Sequence, residues 1–471
     1  PSSYRSTAKS ADYIVFTPAA FASAAAALRD YRGSQGLRAL VVDVQDAYDE
    51  FSYGIVDPEG IHSLLAYAYT NWVAPAPSYV VLMGDGNYDP KNYLGFGRTS
   101  FIPPYLGDWD PWMMETASDN RYVTVSGADK MPDMMIGRLS VNSLADANTM
   151  VDKIKTYETK AAAGAWQTQV MAVADNADAG GYFDQISDQV MSCCVPAEFA
   201  TTKVYYGVTH TDSSAARAAV QANYGKYIVN YVGHGFTTGW ASEALLTTST
   251  VPELTNGGQQ PIDLVMACME GYFIHPNPSQ DSLAEISTRA VNKGSIASWS
   301  GTGEGTAGGQ DILDRAVLTA LLKNHAPSLG AAVLAAKQSL FSIGASPDLL
   351  DTFTLFGDPA LHFNLIPTAV DVLSFSGKLA SGTVELSWET ASEREVVGFN
   401  LYRAKTRDGA RKLINSEKIS AQNPGADGGA VYTFVDTSAK PGKKYFYWLE
   451  SISIDNTTKL IGPVKVKVGQ P

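Results

Sequence analysis

Cysteine is scarce in this chain, with three residues in 471, two of them adjacent at Cys193 and Cys194. That supply cannot build a disulfide-stapled scaffold. A bridge between neighbouring residues is strained, so the adjacent pair reads as buried thiols and Cys268 stands alone. Charge is also sparse: 18% of residues, with 35 Lys and Arg against 48 Asp and Glu and a formal net charge of −13. The basic residues are scattered, so the positive footprint that nucleic acid requires is missing. No apolar stretch approaches the ~18 uninterrupted residues of a membrane span, and the Ala-rich run from Pro18 to Leu28 ends at Arg29. The opening Pro1-Ser2-Ser3-Tyr4 has neither Met nor a signal pattern, and it reads as part of a longer precursor from which a pro-segment is absent.

What is present is apolar and aromatic: 45% hydrophobic residues, 24 Tyr, 17 Phe and 8 Trp. That composition excludes intrinsic disorder, and the length allows two to four domains at roughly 100–200 residues each. Low charge density with abundant Tyr, Thr, Ser and Gly suits a secreted, extracellular or cell-surface protein.

From Asp12 to about Asn364, short β-branched runs alternate with amphipathic stretches, the pattern of βαβ units on a parallel sheet. Strands are predicted at 13–16, 39–43 and 79–83, and then at 170–174, 203–206, 227–232, 262–267 and 295–300. A capping-box-like start at Ser143 opens a helix with Ala147, Met150, Val151, Ile154 and Tyr157 on one face. Further helices are predicted over 311–324 and 329–342. Ala161-Ala162-Ala163-Gly164 reads as a joint, which divides the chain into an α/β part over 1–165 and a second over 166–366. Residues 367–471 change to short alternating strands separated by turns such as 424–429 and Lys440-Pro441-Gly442, with Trp388 as a core residue. This last part reads as an immunoglobulin- or fibronectin-like β-sandwich.

Ligands of open α/β sheets collect beyond the carboxyl ends of the strands. Three predicted strands of the second part deliver reactive groups there: Asp175, His234 within Gly233-His234-Gly235, and Cys268. A thiol, an imidazole and a carboxylate on one edge are the parts of a cysteine nucleophile system. Taken singly, each has a plainer role as core residue, surface residue or turn cap. The two glycines beside His234 permit close backbone approach and unusual φ, and the N–H groups of Gly235 and Cys268 could form an oxyanion hole. Neither His-Glu-x-x-His nor Gly-x-Ser-x-Gly occurs, and Gly301–Gly309 lacks the Lys-Ser/Thr ending of a phosphate loop.

The segments Tyr231-Val232-Gly233-His234-Gly235, Trp240-Ala241 and Met266-Ala267-Cys268-Met269-Glu270-Gly271 resemble the gingipain-type cysteine peptidases of the caspase-like clan. Asp43, 48–54, Gly84-Asp85, 136–139 and 356–359 resemble further landmarks of that family, in order. The resemblance implies a three-layer αβα fold of caspase-like type, with mainly parallel sheets in two subdomains, followed by an all-β immunoglobulin-like sandwich. It implies His234 and Cys268, 34 residues apart, as the catalytic pair and protein or peptide substrates, with no catalytic cofactor. Asp175 is the matching third acidic residue, and Asp178 is its alternative. The family's cleavage after Arg or Lys implies an acidic pocket wall, for which Asp184, Asp188 and Glu304 are candidates, with Trp299 as a further substrate-binding residue. Asp184 and Asp188 equally fit the solvated face of a helix over 183–190. Structural calcium is implied as well, but the region from Asp119 to Asp133 is short of ligands, and Asp85-Gly86-Asn87-Tyr88-Asp89 reads as a polar turn. The alternative function is a non-catalytic or latent surface protein that binds through its sandwich.

Overall fold

The computed structural model describes residues 3–160, 164–363, 372–380, 382–390, 393, 396–407, 409–424, 429–453 and 458–468. They belong to two compact units, Pro1–Asn364 and Leu365–Pro471. Most of the expected joint at 161–164, the expected boundary at 366/367 and much of the turn at 424–429 lie outside the described residues.

The first unit opens with β1 (Tyr13–Thr17), α1 (Ala22–Ser34), β2 (Ala39–Asp43), α2 (Val44–Phe51), α3 (Pro58–Asn71) and β3 (Tyr79–Met83). A hairpin of β4 (Leu106–Asp110) and β5 (Met114–Ala117) precedes β6 (Met135–Leu139) and α4 (Leu144–Lys160). Then come β7 (Gln169–Ala174), α5 (Phe183–Cys194), β8 (Ala200–Tyr205), α6 (Ser213–Asn223) and β9 (Ile228–Val232). Short strands β10 (Gly235–Phe236), β11 (Gly239–Trp240) and β12 (Leu246–Thr247) lead to β13 (Ile262–Met266), α7 (Leu283–Arg289) and β14 (Ala297–Gly301). The unit closes with α8 (Ala307–Leu318), α9 (Leu329–Ile343), α10 (Leu349–Thr352) and β15 (Phe353–Phe356).

Several of the helices begin where a side chain satisfies free N–H groups. Asp57 caps α3 ahead of Pro58, Ser143 Oγ accepts Asp146 N at 3.1 Å, and Ser282 with Glu285 forms a capping box on α7.

The two α/β parts share one ten-stranded sheet, in the order β2-β1-β3-β6-β15-β14-β13-β9-β7-β8. This corrects the expectation of separate sheets in two subdomains. The reason is β15, which pairs parallel to β6 on one side and antiparallel to β14 on the other. Two parallel blocks of opposite direction thus meet at a seam, and each block loses an exposed edge. Strands β1, β9, β13 and β14 are buried along their whole length, as a sheet covered on both faces requires.

Several landmark residues serve this seam. Arg138 is buried against Asp119 at 2.6 Å and lies over the Phe273 ring at 4.4 Å. Asp358 takes Arg32 at 2.7 Å and the Tyr13 hydroxyl at 2.9 Å. A Cβ at Gly137 would stand 2.2 Å from the Gly357 carbonyl oxygen, so only glycine allows that approach.

Cys193 and Cys194 are joined by a disulfide of 2.04 Å at the end of α5, which corrects the reading of two thiols. The pair occupies the final turn, beyond which the chain leaves helical geometry at Val195. Cys268 is the free cysteine.

In the second unit the strands are β16 (Val372–Ala380), β17 (Thr383–Thr390), β18 (Val396–Ala404), β19 (Lys412–Leu413), β20 (Ile419–Ser420), β21 (Val431–Asp436), β22 (Lys444–Ser453) and β23 (Thr458–Lys467). They form two antiparallel sheets, one of β16, β17 and β21 and one of the remainder. Both contribute to one core, in which Trp388 stacks on Tyr432 at 5.0 Å and meets the edge of Phe399.

Candidate active site

Met266 of β13 and Ala174 of β7 both register with Val232 of β9, and all three strands run in the same direction. Cys268, His234 and Asp175 therefore leave the sheet side by side on one edge. Neighbouring strands are about 4.8 Å apart, so the strand ends that carry Cys268 and His234 are adjacent.

His234 is held from several directions. Its carbonyl oxygen accepts the Tyr231 hydroxyl at 2.6 Å and the Ala241 N–H at 2.9 Å. Tyr231 in turn stacks on Trp240 at 4.6 Å, and the ring of Phe183 packs edge-on to the imidazole at 5.2 Å. The flanking glycines supply room, and neither adopts a left-handed φ. A Cβ at Gly233 would lie 2.5 Å from Asp175 Cβ, and one at Gly235 would lie 2.6 Å from the Cys268 carbonyl oxygen. The left-handed residue is instead Met269, at φ 60°, immediately after the nucleophile candidate. Its N–H donates to Gly303 O at 2.9 Å, which secures this costly conformation.

The carboxylate on the imidazole is Asp178, not Asp175: Asp178 Oδ2 is 2.9 Å from His234 Nε2. The expectation for Asp175 is corrected by where its oxygens point. Oδ2 accepts the His234 backbone N–H at 3.3 Å and Oδ1 accepts Asn176 N at 2.8 Å. Asp175 is buried, and burial raises its carboxyl above the ordinary range. Asp178 sits in a tight turn closed by Gly181, and the Gly180 N–H on Oδ1, first among the causes, holds its carboxyl below that range.

Cys268 Sγ donates to the Gly305 carbonyl at 3.7 Å. Burial pushes the thiol up, and the charges of Glu304 and Asp110 raise it further. Gly235 pairs with Trp240 while Ala241 N bonds His234 O. Gly235 thus occupies a non-hydrogen-bonded pair, with its N–H directed away from β11.

The predicted pocket residues are dispersed. Trp299 is fully buried, edge-on to Phe353, and lines no surface. Asp188 is spent on Lys203 at 2.7 Å and the Tyr205 hydroxyl at 2.8 Å, on edge strand β8, three strands from β13. Asp184 begins the same helix and acts on the same tyrosine. Only Glu304 stands by the thiol. Beneath it lies a residue that sequence reasoning missed, Asp110, whose Oδ2 accepts Glu304 N at 2.5 Å. No local signal marks it, because the two are 194 positions apart.

Among the described residues, no three His, Cys, Asp or Glu side chains gather as a cation site. In the loops considered for calcium, Asp85 takes Arg98 and Ser140, Asp89 takes Tyr93 N and Leu94 N, Asp119 takes Arg138, and Asp133 takes Val125 N and Ser126 N. These oxygens already serve protein donors, so the residues present do not fit that ion.

A thiol and an imidazole at adjacent strand ends, with a carboxylate on the imidazole and a backbone N–H turned away from its partner strand, define a site of the cysteine-peptidase class. The chain belongs to peptidase family C25, which matches residues 6–364. Gingipain R2 of Porphyromonas gingivalis is 27% identical over 274 residues, 54% of this chain and 36% of that protein. Lys-gingipain of the same organism is 26% identical over 182 residues, 38% of this chain and 10% of that protein. The chain thus spans about a third of the length of the first relative and less of the second. The crystal structure of the Arg-specific cysteine proteinase gingipain R shares the fold at a TM-score of 0.62, with 21% identity, 97% of this chain and 98% of that one covered. The complex of the pro- and mature domains of RgpB from the same organism matches at a TM-score of 0.64 and 21% identity, covering 97% and 100%.

Proposed function

We propose that the chain is a secreted cysteine endopeptidase acting through Cys268 and His234. The observation that carries this reading is the placement of both side chains at adjacent parallel strand ends, with Asp178 on the far nitrogen of the ring. With Nε2–H given to Asp178, Nδ1 is the nitrogen left to handle the proton. Cys268 would attack the scissile carbonyl carbon, forming the C–S bond while its proton passes to the imidazole. The imidazolium would then protonate the leaving amine as the C–N bond breaks. The imidazole would next take a proton from water, which attacks the thioester, and the thiolate departs with the acid released. The N–H groups of Gly235 and Cys268 would hold the oxyanion. This sequence uses no catalytic cofactor.

Glu304 supports a preference for Arg or Lys before the cut, since it is the half-buried acid that acts on the thiol. The caspase-like reading of the first unit rests on its covered, parallel-rich sheet, and the immunoglobulin-like reading of the second on its two antiparallel sheets around Trp388. Export through a pro-form agrees with the pro-domain complex of the relative. The described residues contain no helix long and apolar enough to cross a membrane.

One observation favours a latent or non-catalytic form: the thiol's hydrogen bond goes to Gly305 and the ring's to Asp178, so the two are not bonded to each other. Such bonds often form only with substrate present. The deciding test is a fluorogenic peptide library under reducing conditions with wild-type chain and Cys268→Ala. Cleavage lost in the variant is the expected result. Cleavage retained, or none in either together with no labelling of Cys268 by an irreversible thiol inhibitor, overturns the peptidase reading.

A further inference from the structure

The tip of the β4–β5 hairpin leaves two large apolar side chains in solvent, Trp112 at 52% and Met114 at 56% exposure. Exposed apolar area forgoes the gain of burial, yet this tip is held by many hydrogen bonds. The buried carboxylate of Asp110 accepts the N–H groups of Trp112 at 2.7 Å, Met113 at 2.9 Å and Glu304 at 2.5 Å. Thr116 Oγ1 donates to Thr302 O at 3.0 Å, and Thr302 Oγ1 donates to Ala117 O at 2.8 Å. A Cβ at Gly303 would lie 2.3 Å from Asp110 Oδ2, so the two segments are in close contact. Met114 itself is held at φ 66°, a conformation that a residue with a Cβ adopts only under constraint.

The segment clasped by the hairpin also borders the nucleophile. Gly303 O takes Met269 N at 2.9 Å and Gly305 O takes the Cys268 thiol at 3.7 Å. One short stretch, Thr302–Gly305, therefore fixes the exposed tip relative to Cys268. We propose that Trp112 and Met114 form an apolar wall of the substrate channel, which takes an apolar side chain flanking the scissile bond of an extended peptide. This rests on the peptidase reading. It concerns a different substrate position from the one that Glu304 would face.

The test compares kcat/KM on fluorogenic peptides bearing Leu or Phe with peptides bearing Ser at each flanking position, for the full wild-type chain, Trp112→Ala, Trp112→Phe and Met114→Asn. The expected result is a preference for Leu or Phe at one position, reduced about tenfold in Trp112→Ala, within the range that apolar pocket contacts supply, and restored in Trp112→Phe. An unchanged Leu-to-Ser ratio overturns the wall and leaves the peptidase standing. The same peptides are titrated by fluorescence polarisation against Cys268→Ala with and without Trp112→Ala. Trp112-dependent binding of Leu and Phe peptides that wild type fails to cleave retains the wall and rejects the peptidase. Peptides neither bound nor cleaved reject both.

Discussion

His234 and Asp178 face each other at 2.9 Å with side chains 52% and 43% exposed. Water screens such a pair, so its worth to folding is small and its effect falls on the orientation of the ring. Asp178→Asn is expected to lower kcat/KM at least about tenfold, the scale of one positioned group in proton transfer. Asp175→Asn, whose side-chain oxygen can still accept the His234 N–H, is expected to cost less. Steady-state kinetics on one peptide decide between them, and the reverse order would return the imidazole partner to Asp175. The thiol offers a second check. Burial and the charges of Glu304 and Asp110 hold Cys268 protonated above the ordinary thiol range, so iodoacetamide labelling of wild type should rise late with pH. Removing one negative charge favours the thiolate, and Glu304→Gln should therefore shift the labelling profile to lower pH.

Two elements depend on single positions. Lys153 of α4 reaches into the connection between α7 and β14, where its buried ammonium meets the carbonyls of Thr288 at 2.8 Å, Ala290 at 3.2 Å, Lys293 at 3.1 Å and Ser295 at 2.8 Å. Burial pulls the ammonium down to about 7, while the charge of Asp263 acts the other way. Lys153→Met removes the donor and leaves buried acceptors bare, at about 1–3 kcal/mol for each unsatisfied group. Its denaturant midpoint should fall clearly below that of wild type, and an equal midpoint would show that water replaces the ammonium. At the β9 turn, Gly235→Ala pushes a methyl toward the Cys268 carbonyl. Turnover should fall roughly a hundredfold, as when an oxyanion donor is misplaced, with circular dichroism unchanged.

Across the whole molecule, burial leaves acids that ionise late. Asp314, with Asn230 donating to it at 2.6 Å, is pushed up to about 8, and Glu270 to about 7. Unfolded carboxyls titrate near 4, so between pH 4 and 8 the folded chain holds protons that the unfolded chain has released. Stability from these groups is complete below about pH 4 and is lost as pH rises through 7 and 8. The loss of melting temperature between pH 6 and 9 should be smaller in Asp314→Asn than in wild type, and calorimetry at both pH values measures the difference.

Much of this molecule follows from local pattern. Apolar runs bounded by turn residues mark β7, β9 and β13, and those runs end at Asp175, His234 and Cys268, so the meeting of His234 and Cys268 on one edge was legible in the residues. Trp388 in a run of alternating residues announces the core of the second unit in the same way. The seam was not legible, because β15 is short and buried along its length, and what seats it is pairing with β6 and β14 rather than any period of its own. Nor was the choice of Asp178 over Asp175, since three residues of turn decide which carboxylate reaches the ring. Asp110 beneath Glu304 and Asp358 beneath Tyr13 join residues 194 and 345 positions apart. Strand and turn preferences act over a few neighbouring residues, and contacts across such separations arise only when the sheet has closed.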